Sequence, residues 1–182
     1  MEQKNYKLEI VNELLGKPQH IRALAIKVGT NHTTIIRKIR ELYNENVLDY
    51  KEEGKNKTYF LKKTPEAKNY AFMAETYKLN QILKKYPSLR NVLDKTQKNK
   101  KIKMAVLFGS YAKGLAKKES DIDIYIDASS LSLRQEIEKI NSKLSVKIGK
   151  YDKNSPLIKE IEKNHVIIKG VEDFYEKFKF FE

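Results

Sequence analysis

The chain predicts an α+β fold in two parts, and three observations carry that prediction. Apolar residues recur at helical spacing through residues 6–43 and are followed by two β-rich runs around a charged loop. From residue 102 onward, short apolar runs alternate with helical patterns, the mark of a sheet covered by helices. Between these parts lies a basic, mainly helical stretch, residues 64–100. A chain of 182 residues has room for two small domains joined by such a connector.

In the first part, Ile10, Val11, Leu14 and Leu15 share one helical side between Tyr6 and Leu15, and Gly16 and Pro18 close the helix. A second helix runs through Ile21, Leu24, Ala25 and Val28 and stops at Gly29. Thr30 and Asn31 can cap a third, with Ile35, Ile36, Ile39, Leu42 and Tyr43 as its expected buried side. Val47-Leu48-Asp49-Tyr50 and Thr58-Tyr59-Phe60-Leu61 flank the loop Lys51–Lys57 and read as a hairpin.

Three helices, a Gly-containing turn and a hairpin resemble a winged helix-turn-helix over residues 1–63. The resemblance implies that the third helix presents Asn31, His32, Thr33, Thr34, Arg37 and Lys38 to a major groove. Arg37, Lys38 and Arg40 would hold bases or phosphates, and Lys55 and Lys57 at the hairpin tip would follow the backbone or minor groove. The plainer alternative is a winged helix used for protein contacts, its basic residues simply solvated.

In the connector, Pro65 can open a long helix over residues 66–86 that carries Tyr70, Met73, Tyr77, Leu79, Ile82 and Leu83. Pro87 interrupts it, Ser88 can cap again, and Leu89, Val92 and Leu93 continue a shorter helix. The lysine-rich run Lys95–Lys103 reads as a linker. The aromatic-rich segment would either pack within the chain or pair two copies as a homodimer.

The second part predicts strands at Ile102–Phe108, Ile122–Ile126 and Leu144–Ile148, and a short extended run at His165–Lys169. Helices are expected from Tyr111, from a capping box of Ser132 with Gln135, over Pro156–Lys163 and over Val171–Phe181, the last with an aromatic core face. Alternation along the second strand buries Ile122 and Ile124 and leaves Asp121 and Asp123 on the other face, their Cα atoms about 6.6 Å apart. That spacing suits one hard cation.

Gly109-Ser110, Lys113-Gly114 and Ser120-Asp121-Ile122-Asp123 resemble the signature of the polymerase-beta-like nucleotidyltransferases in their minimal prokaryotic form, over residues 100–170. The resemblance implies two Mg²⁺ ions held by three carboxylates, two of them Asp121 and Asp123 and the third on the next strand. Gly109 and Ser110 would take the β- and γ-phosphates of a nucleoside triphosphate, with Lys113 adding positive charge. The sequence departs from the pattern at the third acid, where alignment places Lys147. Asp127 lies four residues along the strand, about 13 Å from Asp123. Asp152 lies past the strand end.

Composition narrows the partners. The net charge is +13, and residues 1–63 carry 13 Lys+Arg against 8 Asp+Glu. Residues 64–103 carry 10 against 3, and residues 104–182 carry 14 against 13, so the excess sits ahead of the Asp-x-Asp segment. A basic surface suits duplex DNA. There is no cysteine, and three scattered histidines make a zinc site unexpected. No apolar run reaches the roughly 20 residues of a membrane span. Met1-Glu2-Gln3-Lys4-Asn5 lacks a signal-peptide core, so cytoplasmic residence is expected.

Two functions follow. One is a DNA-binding, transcription-regulating protein whose second domain binds nucleotide without a complete catalytic set. The other is an active Mg²⁺-dependent enzyme that moves a nucleoside monophosphate from a nucleoside triphosphate to a hydroxyl of a protein, RNA or small molecule. The resemblance further implies a separate small helical partner protein. The residues of the second domain are compatible with either function.

Overall fold

The computed structural model describes residues 4–54 and 56–182, apart from the side chain of Glu53. The chain divides into two compact units. One runs to Tyr77 and takes in Phe181–Glu182, and the other spans Lys78–Phe180.

In the first unit, α1 (Tyr6–Gly16), α2 (Ile21–Val28) and α3 (His32–Asn44) are followed by the hairpin strands β2 (Leu48–Glu53) and β3 (Asn56–Leu61). Asn5 opens α1 by accepting the Leu8 N–H (3.3 Å), and Asn31 opens α3 by accepting the Thr34 N–H (2.8 Å). Gly29 ends α2 at φ +69°, and its N–H donates to the Ala25 carbonyl. Ile10, Val11, Leu14, Leu24, Val28, Ile35, Leu42 and Leu48 form the core.

A two-residue strand, β1 (Gln19–His20), lies between α1 and α2 and pairs antiparallel with β3, giving the sheet order β1-β3-β2. No periodicity announces so short a strand. The arrangement is a winged helix-turn-helix. The wing is tighter than the sequence predicts, because β2 and β3 run on through most of the charged loop to Glu53 and Asn56. Ile36 and Tyr43 are corrected too: they are 40% and 46% exposed. The buried stripe of α3 is Ile35, Ile39 and Leu42, and each of those two residues sits one step around the helix from it.

The helix α4 (Pro65–Lys85) contributes to both units. Ala67, Ala71 and Ala74 are buried in the first, and Leu79 and Ile82 join the core of the second. Pro87–Leu89 forms a 3-10 turn without a Ser88 cap, and α5 follows as Arg90–Lys98. Lys95–Lys98 are thus helical rather than linker, held by the burial of Val92, Leu93 and Thr96, whose hydroxyl donates to the Val92 carbonyl (2.8 Å). Full burial of side chains like Val92 and Leu93 contributes about 1.5–3 kcal/mol each, which outweighs the repulsion of exposed lysines.

The second unit is built on a mixed sheet of order β6-β5-β4-β7. Its strands are β4 (Ala105–Phe108), β5 (Ile122–Asp127), β6 (Leu144–Gly149) and β7 (Val166–Lys169). β5 and β6 are parallel, and β4 is antiparallel to β5 and to β7. Ile122, Ile124, Ile126, Leu107 and Val146 face a core closed by α5 and by Leu133 and Ile137 of α7 (Leu131–Glu138). Ser130, not Ser132, caps α7, accepting the Leu133 N–H (3.4 Å). The helix α6 (Gly109–Ala112) is a single turn, α8 is Pro156–Lys163 and α9 is Val171–Phe178. Phe174 and Tyr175 of α9 are buried, with His165 and Tyr151 rings 4.5 and 6.0 Å from Phe174. Those aromatics are core, as their spacing predicts.

Candidate nucleic-acid interface and candidate nucleotide site

The exposed face of α3 carries His32, Thr33, Arg37 and Arg40, with the exposed Ile36 among them and Thr34 half-buried at the edge. Asn31 is exposed, but its side chain is engaged as the helix cap. Arg37 and Arg40 make no ion pair among the described residues. Lys38 differs: its ammonium donates to both oxygens of Glu41 at 2.9 Å and is half-buried. A pocket of about 360 Å³ beside it is lined by Lys4, Lys7, Arg37 and Lys38, yet most of its charge is compensated. Lys7 pairs with Glu45 at 2.6 Å and Glu41 at 3.3 Å, and Lys4 donates to the Val28 carbonyl.

A larger cleft, about 520 Å³, gathers residues far apart in sequence. His32 from α3 and Lys57 from the wing line it together with His20, Arg22 and Asn56. His20 Nδ1 donates to the Lys57 carbonyl (2.9 Å), which fixes β1 against the wing. The Lys57 ammonium lies 3.9 Å from the centre of the Tyr50 ring, and hydrogen bonding to Tyr50 pushes its pKa up, so the charge is held in place. Lys55 lies outside the described residues. Arg22 and His20 were missed in the sequence. Arg22 is legible in hindsight, since the first helix of a helix-turn-helix crosses the nucleic-acid backbone near its start.

In the second unit, β4 ends at Phe108 and the chain turns at Gly109, φ +68°. A Cβ at Gly109 would collide with the Asp123 carboxylate, so only glycine lets the turn lie against that side chain. The turn is closed by the Gly109 carbonyl accepting the Lys113 N–H and the Ser110 carbonyl accepting the Leu115 N–H. Since α6 is one turn long, little helix dipole is available to a phosphate at this turn. A tight turn, in which Ser120 Oγ accepts the Lys117 N–H (2.9 Å), delivers exposed Asp121 to the head of β5.

Asp123 is half-buried. Burial pushes its carboxyl above the usual carboxylate range. Hydrogen bonding from Ser145 and the charge of Lys147 pull it down, and Asp121 and Glu160 push it up again. The β5–β6 register pairs Asp123 with Ser145 and Tyr125 with Lys147. The position directly across from Asp123 is therefore a serine, and the exposed Lys147 stands two residues further along. Lys113 is engaged with Glu160 at 3.0 Å.

Among the described residues no three of Asp, Glu, His and Cys gather closely enough to hold a metal ion. Both stand-ins for a third acid are used elsewhere. Asp127 accepts the Tyr151 N–H (3.1 Å) and pairs with Lys177 (3.0 Å), and Asp152 accepts the Asn154 N–H in its own loop. The donors present fit at most one cation on Asp121 and Asp123. They do not fit two.

Residues 90–173 match the family described as polymerase beta, nucleotidyltransferase. The second unit is nucleotidyltransferase-like. The matched residues run from the start of α5 into α9 and include Gly109, Ser110, Asp121, Asp123 and Lys147 of this nucleotidyltransferase-like segment. No curated protein matches the chain. One solved structure that matches is the homodimeric winged helix-turn-helix DNA-binding domain of a possible ArsR-family transcriptional regulator from Mycobacterium bovis. It is 18% identical with a TM-score of 0.35, and the match covers 44% of this chain and 70% of that one.

Proposed function

We propose that the protein binds duplex DNA through its winged helix-turn-helix and regulates transcription, while its nucleotidyltransferase-like segment holds a nucleotide without completing two-metal transfer. The cleft that joins His32 of α3 to Lys57 of the wing beside Arg22 carries the first half of this reading. Arg37 and Arg40 extend the same positive surface along α3. A duplex selected from a random pool would give the ligand. Arg37→Ala plus Arg40→Ala should then weaken binding at least about tenfold and lower the salt slope by about 2. Unchanged duplex affinity in that variant would overturn the assignment. A symmetric dimer would match a two-fold DNA site, and sedimentation with and without duplex measures it.

For the second half, Asp121 and Asp123 would hold one Mg²⁺ against the phosphates of a nucleoside triphosphate, with Gly109 and Ser110 at the turn beside them. When bound, that ion neutralises phosphate charge and orients the chain of phosphates. Ser145 and Lys147 stand where the missing acid would complete the set, so the segment binds rather than transfers.

An active transferase is the second reading, favoured by the fit of Gly109 against Asp123. Incubation with Mg²⁺, labelled nucleoside triphosphates and protein or RNA acceptors separates the two. Transfer that disappears in Asp121→Ala plus Asp123→Ala would establish the enzyme and end the binding-only reading.

A further inference from the structure

A second cleft of about 410 Å³ lies in the second unit; Tyr111 and Ile122 line it, but none of Gly109, Ser110, Asp121 or Asp123 does. Its walls include Tyr86, Ser88, Lys117, Lys118, Ser142 and Lys143. Tyr86 is half-buried and meets Tyr111 edge-on, ring centres 4.9 Å apart, which fixes the phenol as one wall. Its hydroxyl, and those of Ser88 and Ser142, make no hydrogen bond among the described residues. Neither Lys117 nor Lys118 has an ion-pair partner there. Lys143 donates to the Lys118 carbonyl (2.6 Å) and lies 3.4 Å from Glu119, the one acid set against these three cations.

We propose that this cleft binds a nucleoside phosphate, either free or as one unit of a single strand. Lysine ammoniums suit a phosphate, and an aromatic wall suits a planar base. The unpaired hydroxyls suit the polar edges of sugar and base. The volume falls in the range of small-molecule sites, about 300–1,000 Å³. An acidic peptide would use the lysines and leave the aromatic wall and hydroxyls without a role. The inference is independent of duplex binding by the first unit and of any metal at Asp121 and Asp123.

The test is amide NMR of the full ¹⁵N-labelled chain without Mg²⁺, titrated with adenosine 5′-monophosphate and, separately, with a short oligothymidylate. The monophosphate lacks the β- and γ-phosphates that the Gly109-Ser110 turn would take. Shifts should concentrate at Tyr86, Ser88, Lys117, Lys118, Ser142 and Lys143. A response to the mononucleotide identifies a free nucleotide as ligand, and a response to the oligomer alone identifies a strand.

Lys117→Glu plus Lys118→Glu should weaken binding about tenfold or more and leave duplex affinity unchanged. Lys117→Gln plus Lys118→Gln should show a smaller loss of the same kind. Shifts that map to the first unit or centre on Gly109, Ser110, Asp121 and Asp123, no shifts with either probe, or undiminished affinity in the charge-reversed chain would each overturn the proposal.

Discussion

Gly109 shows how much one position decides. Its backbone is left-handed and a side chain there would strike Asp123, so Gly109→Ala pays twice, in conformation and in contact. Chemical denaturation should show a loss of at least about 1 kcal/mol, and a neutral outcome would mean that the turn relaxes freely. Asp123 gives the opposite sign. Its folded pKa is raised, so the folded protein binds the proton more tightly than the unfolded chain does. Wild-type stability from this group therefore falls as pH rises from the unfolded value, about 4, through the raised folded value. Asp123→Asn does not titrate, so its stability relative to wild type should grow between pH 3.5 and pH 7.5. Equal urea-midpoint differences at both pH values would contradict this. The two aspartates and the glycine were legible in the sequence because they are contiguous patterns. Ser145 and Glu160 were not, since only register and helix packing bring them to Asp123.

At the scale of elements, caps and breakers carried most of the legible information. Asn31, Gly29, Pro65 and Pro156 each stand at an observed helix end, and α8 was placed to the residue. Asn31→Ala should cost about 1 kcal/mol and fray the start of α3, lowering duplex affinity through the loss of His32 and Thr33 positioning. Circular dichroism and duplex titration on the same variant check both effects, and a full-strength duplex complex would argue that the helix start is set by the wing instead. Strand β1 and the extent of the wing escaped sequence reading because pairing with β3, a tertiary event, creates them. The lysine run at Lys95–Lys98 was misread for a similar reason. Charge density marks exposure, and a helix with one buried stripe is exposed over most of its surface.

At the scale of the molecule, the charge asymmetry makes a quantitative demand. If Arg22, Arg37, Arg40 and Lys57 each neutralise one phosphate, duplex affinity should fall about 100-fold between 50 and 200 mM salt. A nearly flat dependence would remove DNA as the partner. The second demand concerns the third acid. Lys147→Asp restores the residue type that the nucleotidyltransferase pattern requires, and it should raise Mn²⁺ binding measured by paramagnetic relaxation. Unchanged Mn²⁺ affinity would mean that position 147 stands too far from Asp123, leaving Ser145→Asp as the geometric alternative. The serine across from Asp123 also has a consequence in time. A pocket that transfers its ligand's nucleotidyl group erases the message as it reads it, and its state records past turnovers. A pocket that only holds the ligand fills and empties reversibly, so its occupancy follows the present nucleotide concentration. On the binding-only reading proposed above, a hydroxyl in place of one acid would make the pocket a gauge rather than a clock.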